Sequence, residues 1–175
     1  MKNIVATLTL FFATALSAQV AIGKTSISSP AVSLEFYDNA DNTRGIILPW
    51  VTSTAAVTGA VNGTLVYNTA DRKVYVKYAS GWKDLSVDNT GTVTTTLQDS
   101  LTDQDTAKVL IGGDPSTDTT PGILVLADTN KAMVLPKVAS PHLNIVNPSP
   151  GMIVYDTTKK QLAVFNGTVW SFWKP

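Results

Sequence analysis

Apolar residues fall in short runs divided by polar turns, and within the runs they alternate at period two. In residues 73–78 (KVYVKY) Val74, Val76 and Tyr78 take one side of an extended chain and Lys73, Tyr75 and Lys77 the other, the alternation of a half-buried strand. The runs TLVYNT and MIVYDT are rich in β-branched and aromatic residues. Each ends in a polar turn, Asn68-Thr69-Ala70-Asp71 or Asp156-Thr157-Thr158-Lys159, and a second run follows. Strand, polar turn, strand predicts a hairpin. Ser80-Gly81 and Asn166-Gly167 then turn the chain into a third run, carrying Trp82 in one case and Trp170 in the other, since Asn and Gly tolerate positive φ. Each unit therefore reads as a three-stranded meander closed by a tryptophan. Further strands are predicted over residues 32–37, 45–48, 123–126 and 132–135. The best helical stretch beyond the N-terminal segment, 53–61, is weakened by its central Gly59. Its counterpart, 139–150, carries three prolines, which break a regular helix. A loop with one helical turn is expected at each place.

The pattern is written twice. Residues 63–82 (GTLVYNTADRKVYVKYASGW) align without a gap on 151–170 (GMIVYDTTKKQLAVFNGTVW) at an offset of 88, with Gly63/Gly151, Tyr67/Tyr155 and Trp82/Trp170 among the identities. Upstream, DNTRGIILPWV at 41–51 matches DTNKAMVLPKV at 128–138 at an offset of 87, pairing Pro49 with Pro136, and VAIG at 20–23 echoes VLIG at 109–112. Self-similarity at a fixed spacing marks a repeat architecture. The predicted organisation is a leader (1–18), copy one (20–86), a linker (87–108) and copy two (109–175). The fold class is all-β: two tandem copies of a small antiparallel β-meander module joined by a polar linker. One copy of about 65 residues is marginal as an independent core. With no cysteine for a disulfide, the copies are expected to pack together or to pair strands with another chain. Phe172 and Trp173 prolong the last strand apolar to its end, and such an edge needs a cover.

Residues 1–18 (MKNIVATLTLFFATALSA) combine one basic residue, a short apolar run and small residues at Ala13, Ala15 and Ala18. The run is shorter than the roughly 20 residues of a spanning helix and fits a secretory signal peptide. The remainder is expected outside the cytoplasm, in the periplasm, at the cell surface or beyond, with no transmembrane segment. Thirteen basic residues balance thirteen acidic ones, which argues against a nucleic-acid partner. The absence of cysteine removes thiolate metal sites and a cysteine nucleophile, and a single histidine, His142, removes multi-histidine zinc sites.

The order of motifs after the leader is Q-V-x-I-G-x-T, a variable strand, [RK]-G-[IF]-x-x-P, G-x-x-[VI]-Y-[ND]-T and N-G-T-x-W. Residues 19–25, 44–49, 63–69 with Trp82, and 151–157 with 166–170 carry it. It resembles the short secreted repeat of Bacteroidetes (flavobacterial) surface proteins, and its hairpin resembles modules of phage tail-fibre and head-fibre proteins. Ala132 in place of the glycine, Lys137 after Pro136 and the missing N-G-T turn of copy one depart from the pattern. The resemblance implies an exported, β-rich, assembling surface protein and no reaction.

No G-x-S-x-G, H-E-x-x-H or P-loop pattern occurs, and Glu35 is the sole glutamate, so no catalytic, cofactor-binding or metal-ligating set is assigned. The acidic loops 38–42 and 99–105 lack the register of a calcium loop and read as turn chemistry. Trp82 and Trp170 are expected in the core. Trp50, whose counterpart is Lys137, is expected exposed and is a candidate contact residue together with Trp173. The segment 87–120, with six aspartates and one lysine, is expected to be extended or mobile, and Ser100, Thr106 and Thr119 within it are candidate O-glycosylation sites. The expected function is a non-enzymatic structural or adhesive module of the bacterial envelope whose partner is itself or another surface protein, as a homo-oligomer in the first case. The alternative is a carbohydrate-binding module using Trp50.

Overall fold

A computed structural model describes residues 19–102, 104 and 106–174; the predicted leader lies outside them. The chain is all-β with little helix. Its first half contains β1 (Val20–Ile22), β2 (Val32–Phe36), β3 (Ile46–Ile47), β4 (Trp50–Val51), β5 (Leu65–Asn68), β6 (Lys73–Tyr78) and β7 (Gly81–Asp84). The second half contains β8 (Val109–Ile111), β9 (Leu124–Leu126), β10 (Ala132–Val134), β11 (Lys137–Val138), β12 (Met152–Asp156), β13 (Gln161–Phe165) and β14 (Trp170–Trp173). The two expected helical turns are a 3-10 turn at Thr54–Ala56, capped by Ser53 Oγ accepting from Ala56 N–H, and α1 at Pro141–Asn144.

The strands form four sheets, stacked in the manner of a solenoid: β1-β2-β10, β4-β5-β6-β7, β8-β9, and β11-β12-β13-β14 with β3 also bonded to β12. Pairings recur at the repeat offset. β5 and β6 match Leu65 with Val76 and Asn68 with Lys73, and β12 and β13 match Ile153 with Val164 and Asp156 with Gln161. Both hairpins turn through a left-handed residue, Arg72 (φ 62°) or Lys160 (φ 55°). In both, the side chain that ends the strand caps the turn: Asn68 Oδ1 accepts from Ala70 N–H and Asp156 Oδ1 from Thr158 N–H. A parallel strand lies beside each meander, where Pro49 O accepts from Tyr67 N–H and Pro136 O from Tyr155 N–H, both at 2.9 Å. Proline suits this edge because only its carbonyl is asked to bond.

The halves are nevertheless interwoven. β10 of the second half pairs parallel with β2 of the first, and β3 of the first pairs antiparallel with β12 of the second. One core cluster (Leu48, Tyr67, Val74, Leu85, Ile153, Val164) lies between the two meanders; another (Val138, Ile145, Met152, Val154, Ala163, Phe165) lies on the opposite face of the second. The linker also departs from expectation at its start. Val87 N–H donates to Ser171 Oγ (2.7 Å), Asn166 Nδ2 to Asp88 Oδ1 (3.0 Å), Thr168 Oγ1 to Thr90 O (3.0 Å) and Thr92 Oγ1 to Gly167 O (3.1 Å). Its threonines and aspartate, polar by composition, bond it across the second meander, and Val93 packs on the inter-meander core.

Candidate assembly surface

One close contact between the halves is built on Tyr67. Alternation along β5 points Leu65 and Tyr67 at the second meander, and Tyr67 is fully buried. Its hydroxyl donates to Asn166 O at 2.7 Å. Burial pushes the phenol up to about 12, because the charged form would lose its hydration. Gly151, at φ +79°, lies against the tyrosine: a Cβ there would come within 2.7 Å of Tyr67 Cβ. Only glycine combines that φ with that approach. Trp50 completes the contact, donating Nε1–H to Pro150 O at 3.0 Å with its ring 6.1 Å from that of Tyr67. The expectation of an exposed Trp50 is thus corrected. Trp50 and Lys137 hold the same strand position, but only Trp50 has the other meander beside it, and that neighbour half-buries it.

A charge network joins the halves beneath β2. Glu35, fully buried, accepts from Ser28 N–H at 2.7 Å and lies 2.9 Å from Lys24 Nζ. Asp38 lies 3.2 Å from both Lys24 Nζ and Lys137 Nζ. Burial alone would raise the Glu35 carboxyl, but the Ser28 amide and Lys24 ammonium outweigh it and hold the group below its ordinary range. The hydrogen bond from Lys24, then that from Lys137, lowers Asp38. The Glu35 partnership raises Lys24.

Other predicted positions are placed as follows. Trp170 packs on Phe165 at 5.3 Å and, like Trp82, is half-buried rather than fully internal, because both lie on the last strand of their meander. Trp173 donates its indole N–H to Leu85 O and carries Lys83 Nζ 5.5 Å above its ring, with 38% of its surface still exposed. Tyr155 is exposed, while its repeat counterpart Tyr67 is not. Gly63 is exposed and a Cβ there would touch nothing within 4 Å. Ser100, Thr106 and Thr119 are exposed. His142 stacks edge-on to Phe172 at 5.6 Å. A cleft of about 560 Å³ is lined by Tyr37, Asn42 and Arg44 among others. Its polar groups are already bonded within the fold: Tyr37 hydroxyl donates to Asp41, and Asn42 Nδ2 to the Tyr37 carbonyl and, across the halves, to the Lys137 carbonyl. Among the described residues no group of three acidic, histidine or cysteine side chains could hold a metal ion, and no helix is long and apolar enough to cross a membrane.

Ile47, Tyr78, Val109, Leu124 and Tyr155 on strands, and Ile123 just before β9, are exposed; Leu97, Leu101, Leu143 and Val146 are exposed outside the strands. Among the described residues β9 pairs only with β8, which leaves its other edge without a strand partner. Sequence reasoning found the meander strands, β2, β3, β9 and β10, but not the short strands β1, β4, β8 and β11, nor this surface, nor Asn166 and Glu35 as buried polar anchors. The signal for Glu35 was its isolation as the only glutamate inside an apolar strand.

Residues 114–174, which span β9 to β14, match the family model described as the phage tail like trimerisation region. No curated protein and no solved structure matches the chain. The match and the stacked sheets agree on a β-rich, fibre-like structural module.

Proposed function

We propose that the chain is an exported, non-enzymatic structural module that associates with further copies of itself, as a homotrimer, within a fibre-like assembly at the bacterial surface. The observation that carries this reading is the match of 114–174 to a trimerisation region. The open edge of β9 and the apolar residues around it support it, since an unpaired strand edge beside exposed apolar side chains is a template for pairing with another chain. The module consists of two tandem copies of one meander unit: the hairpin register, capping side chains and parallel proline strand recur at the repeat offset. Sedimentation equilibrium on the full chain tests the reading. A species of three times the 18.6 kDa chain mass is expected; a monomer at all concentrations overturns it. Export rests on residues 1–18 and is tested by fractionating the native host, where recovery in the cytoplasm alone removes it. Attachment of glycans at Ser100, Thr106 and Thr119 fits their exposure, and an unmodified intact mass from the native host refutes it. The carbohydrate-binding alternative is weaker, because the Trp50 indole N–H is already bonded and its ring packs on Tyr67.

A further inference from the structure

The contact between the two halves is not symmetric. The first half offers Tyr67 and β2; the second inserts Gly151 and Asn166 against Tyr67 and lays β10 along β2. A two-fold contact would bury both members of each repeat pair. Instead Tyr67 is 0% exposed and Tyr155 36%, while Leu34 is 1% exposed and its counterpart on β9, Leu124, 47%. On the inserting side, Asn166 is buried and its counterpart Tyr78 is half exposed, and Gly151 is crowded where Gly63 is open. The aliphatic pairs Leu65/Ile153, Val74/Leu162 and Val76/Val164 line the core from both halves, but each of the contact positions named above is covered once and bare once. That is the signature of a head-to-tail interface, which leaves one accepting face and one inserting face unfilled.

We propose that a second copy of this chain fills them, setting its Gly63, Tyr78 and Ile46 against Tyr155 and Leu124 of the first and repeating between chains the contact that joins the halves within one. The inference rests on the self-association reading above and specifies its surface. The internal template fixes the register. Leu34 of β2 faces Met133 of β10; by the repeat, Leu124 of β9 faces Ile46 of the partner chain's β3, in parallel. The backbone of β9 is free to accept it. Val109 N–H donates to Ile123 O and Ala127 N–H to Ile111 O, so the odd-numbered residues turn toward β8 and the N–H and C=O of Leu124 point at the open edge. β3 likewise uses one edge, on β12, and Ile47 is half exposed. A head-to-tail contact closes into a ring where its rotation allows and otherwise runs on as a filament, which joins the trimer reading to a fibre.

The chain has no cysteine, so engineered thiols report cleanly. Equal amounts of a Leu124→Cys chain and an Ile46→Cys chain of different tag length are mixed and oxidised; adjacent strands bring Cα atoms to about 5 Å, within disulfide reach. A mixed disulfide well above the level of either self-pairing is expected. The double variant is expected to give covalent trimers, or a ladder where the contact runs on; a ladder supports the interface and corrects the ring. Leu34→Cys/Met133→Cys, closing inside one chain, calibrates the reaction. A second variant, Leu124→Pro, removes only the outward N–H of β9 and is expected to raise the concentration needed for assembly at least tenfold with unchanged circular dichroism. Wild-type trimers with no mixed disulfide and no effect of Leu124→Pro would overturn this inference while sparing self-association. A monomeric wild type would remove both.

Discussion

Replacing Tyr67 by Phe keeps the ring in the inter-meander core and deletes one group, the hydroxyl that donates to Asn166 O at 2.7 Å. No cavity of consequence forms, so the change isolates the hydrogen bond. A buried bond contributes about 1 kcal/mol net, and a buried carbonyl deprived of its donor adds a desolvation cost of about 1 kcal/mol or more. A loss of about 2 kcal/mol is expected. For a chain of this size, 1 kcal/mol moves Tm by about 2–4 °C, so Tyr67→Phe should melt about 4–8 °C lower. The control is Tyr155→Phe, the same substitution at the repeat-equivalent position, whose side chain is exposed; its effect should stay below about 0.5 kcal/mol. Thermal and urea unfolding of both variants, at a concentration where sedimentation gives one chain, checks the pair. An unchanged urea m-value keeps the comparison within one unfolding reaction. Equal losses at the two sites, or a loss under about 0.5 kcal/mol at Tyr67, would refute the head-to-tail packing drawn from these residues.

Tyrosinate absorbance should show a late step in folded protein, with Tyr67 ionising near pH 12 and Tyr75, half-buried and bonded to Asp71, later still. Raised phenol values mean that the folded state holds these protons. Their contribution is complete below the unfolded value near 10 and is lost as pH climbs toward 12; one titration step near 10 in folded protein would contradict this. Gly45→Ala should cost about 1–3 kcal/mol by overpacking, because its Cβ would fall 2.6 Å from Val154 Cγ1 and 2.7 Å from Met152 Cγ. A urea midpoint equal to wild type would count against the placement of β3. Lys24→Met strands the buried Glu35 carboxylate and should cost about 3 kcal/mol, part of it recovered in Lys24→Met/Glu35→Gln. Because Glu35 and Asp38 are held low, wild-type stability should be full above about pH 4 and fall below it. Stability that is flat through that range would refute the role of the network.

Much of this architecture was legible along the chain. Alternation placed β5, β6, β12 and β13, and the polar turns gave their hairpins. The doubling anticipated that Leu65 would face Val76 as Ile153 faces Val164. These are local matters: which face of a strand is apolar and where the backbone reverses are decided by neighbours in sequence. The linker was misread at its beginning because its threonines and aspartate, mobile by composition, find carbonyls and side chains about 80 residues away. Trp50 was misjudged because a position was assumed to have one environment in both halves.

The sequence by itself determined the all-β character and the strands of the two hairpins and their neighbours, but not the short strands β1, β4, β8 and β11. Only the tertiary structure decided which copy of each residue is covered. Tyr67 and Tyr155 carry the same letter in the same local pattern, as do Gly151 and Gly63, yet one of each pair is enclosed and the other faces solvent. Local pattern specifies a side chain's direction, whereas burial needs a second surface, and the asymmetric packing of the two meanders supplies that surface to Tyr67 and Gly151 but not to Tyr155 and Gly63.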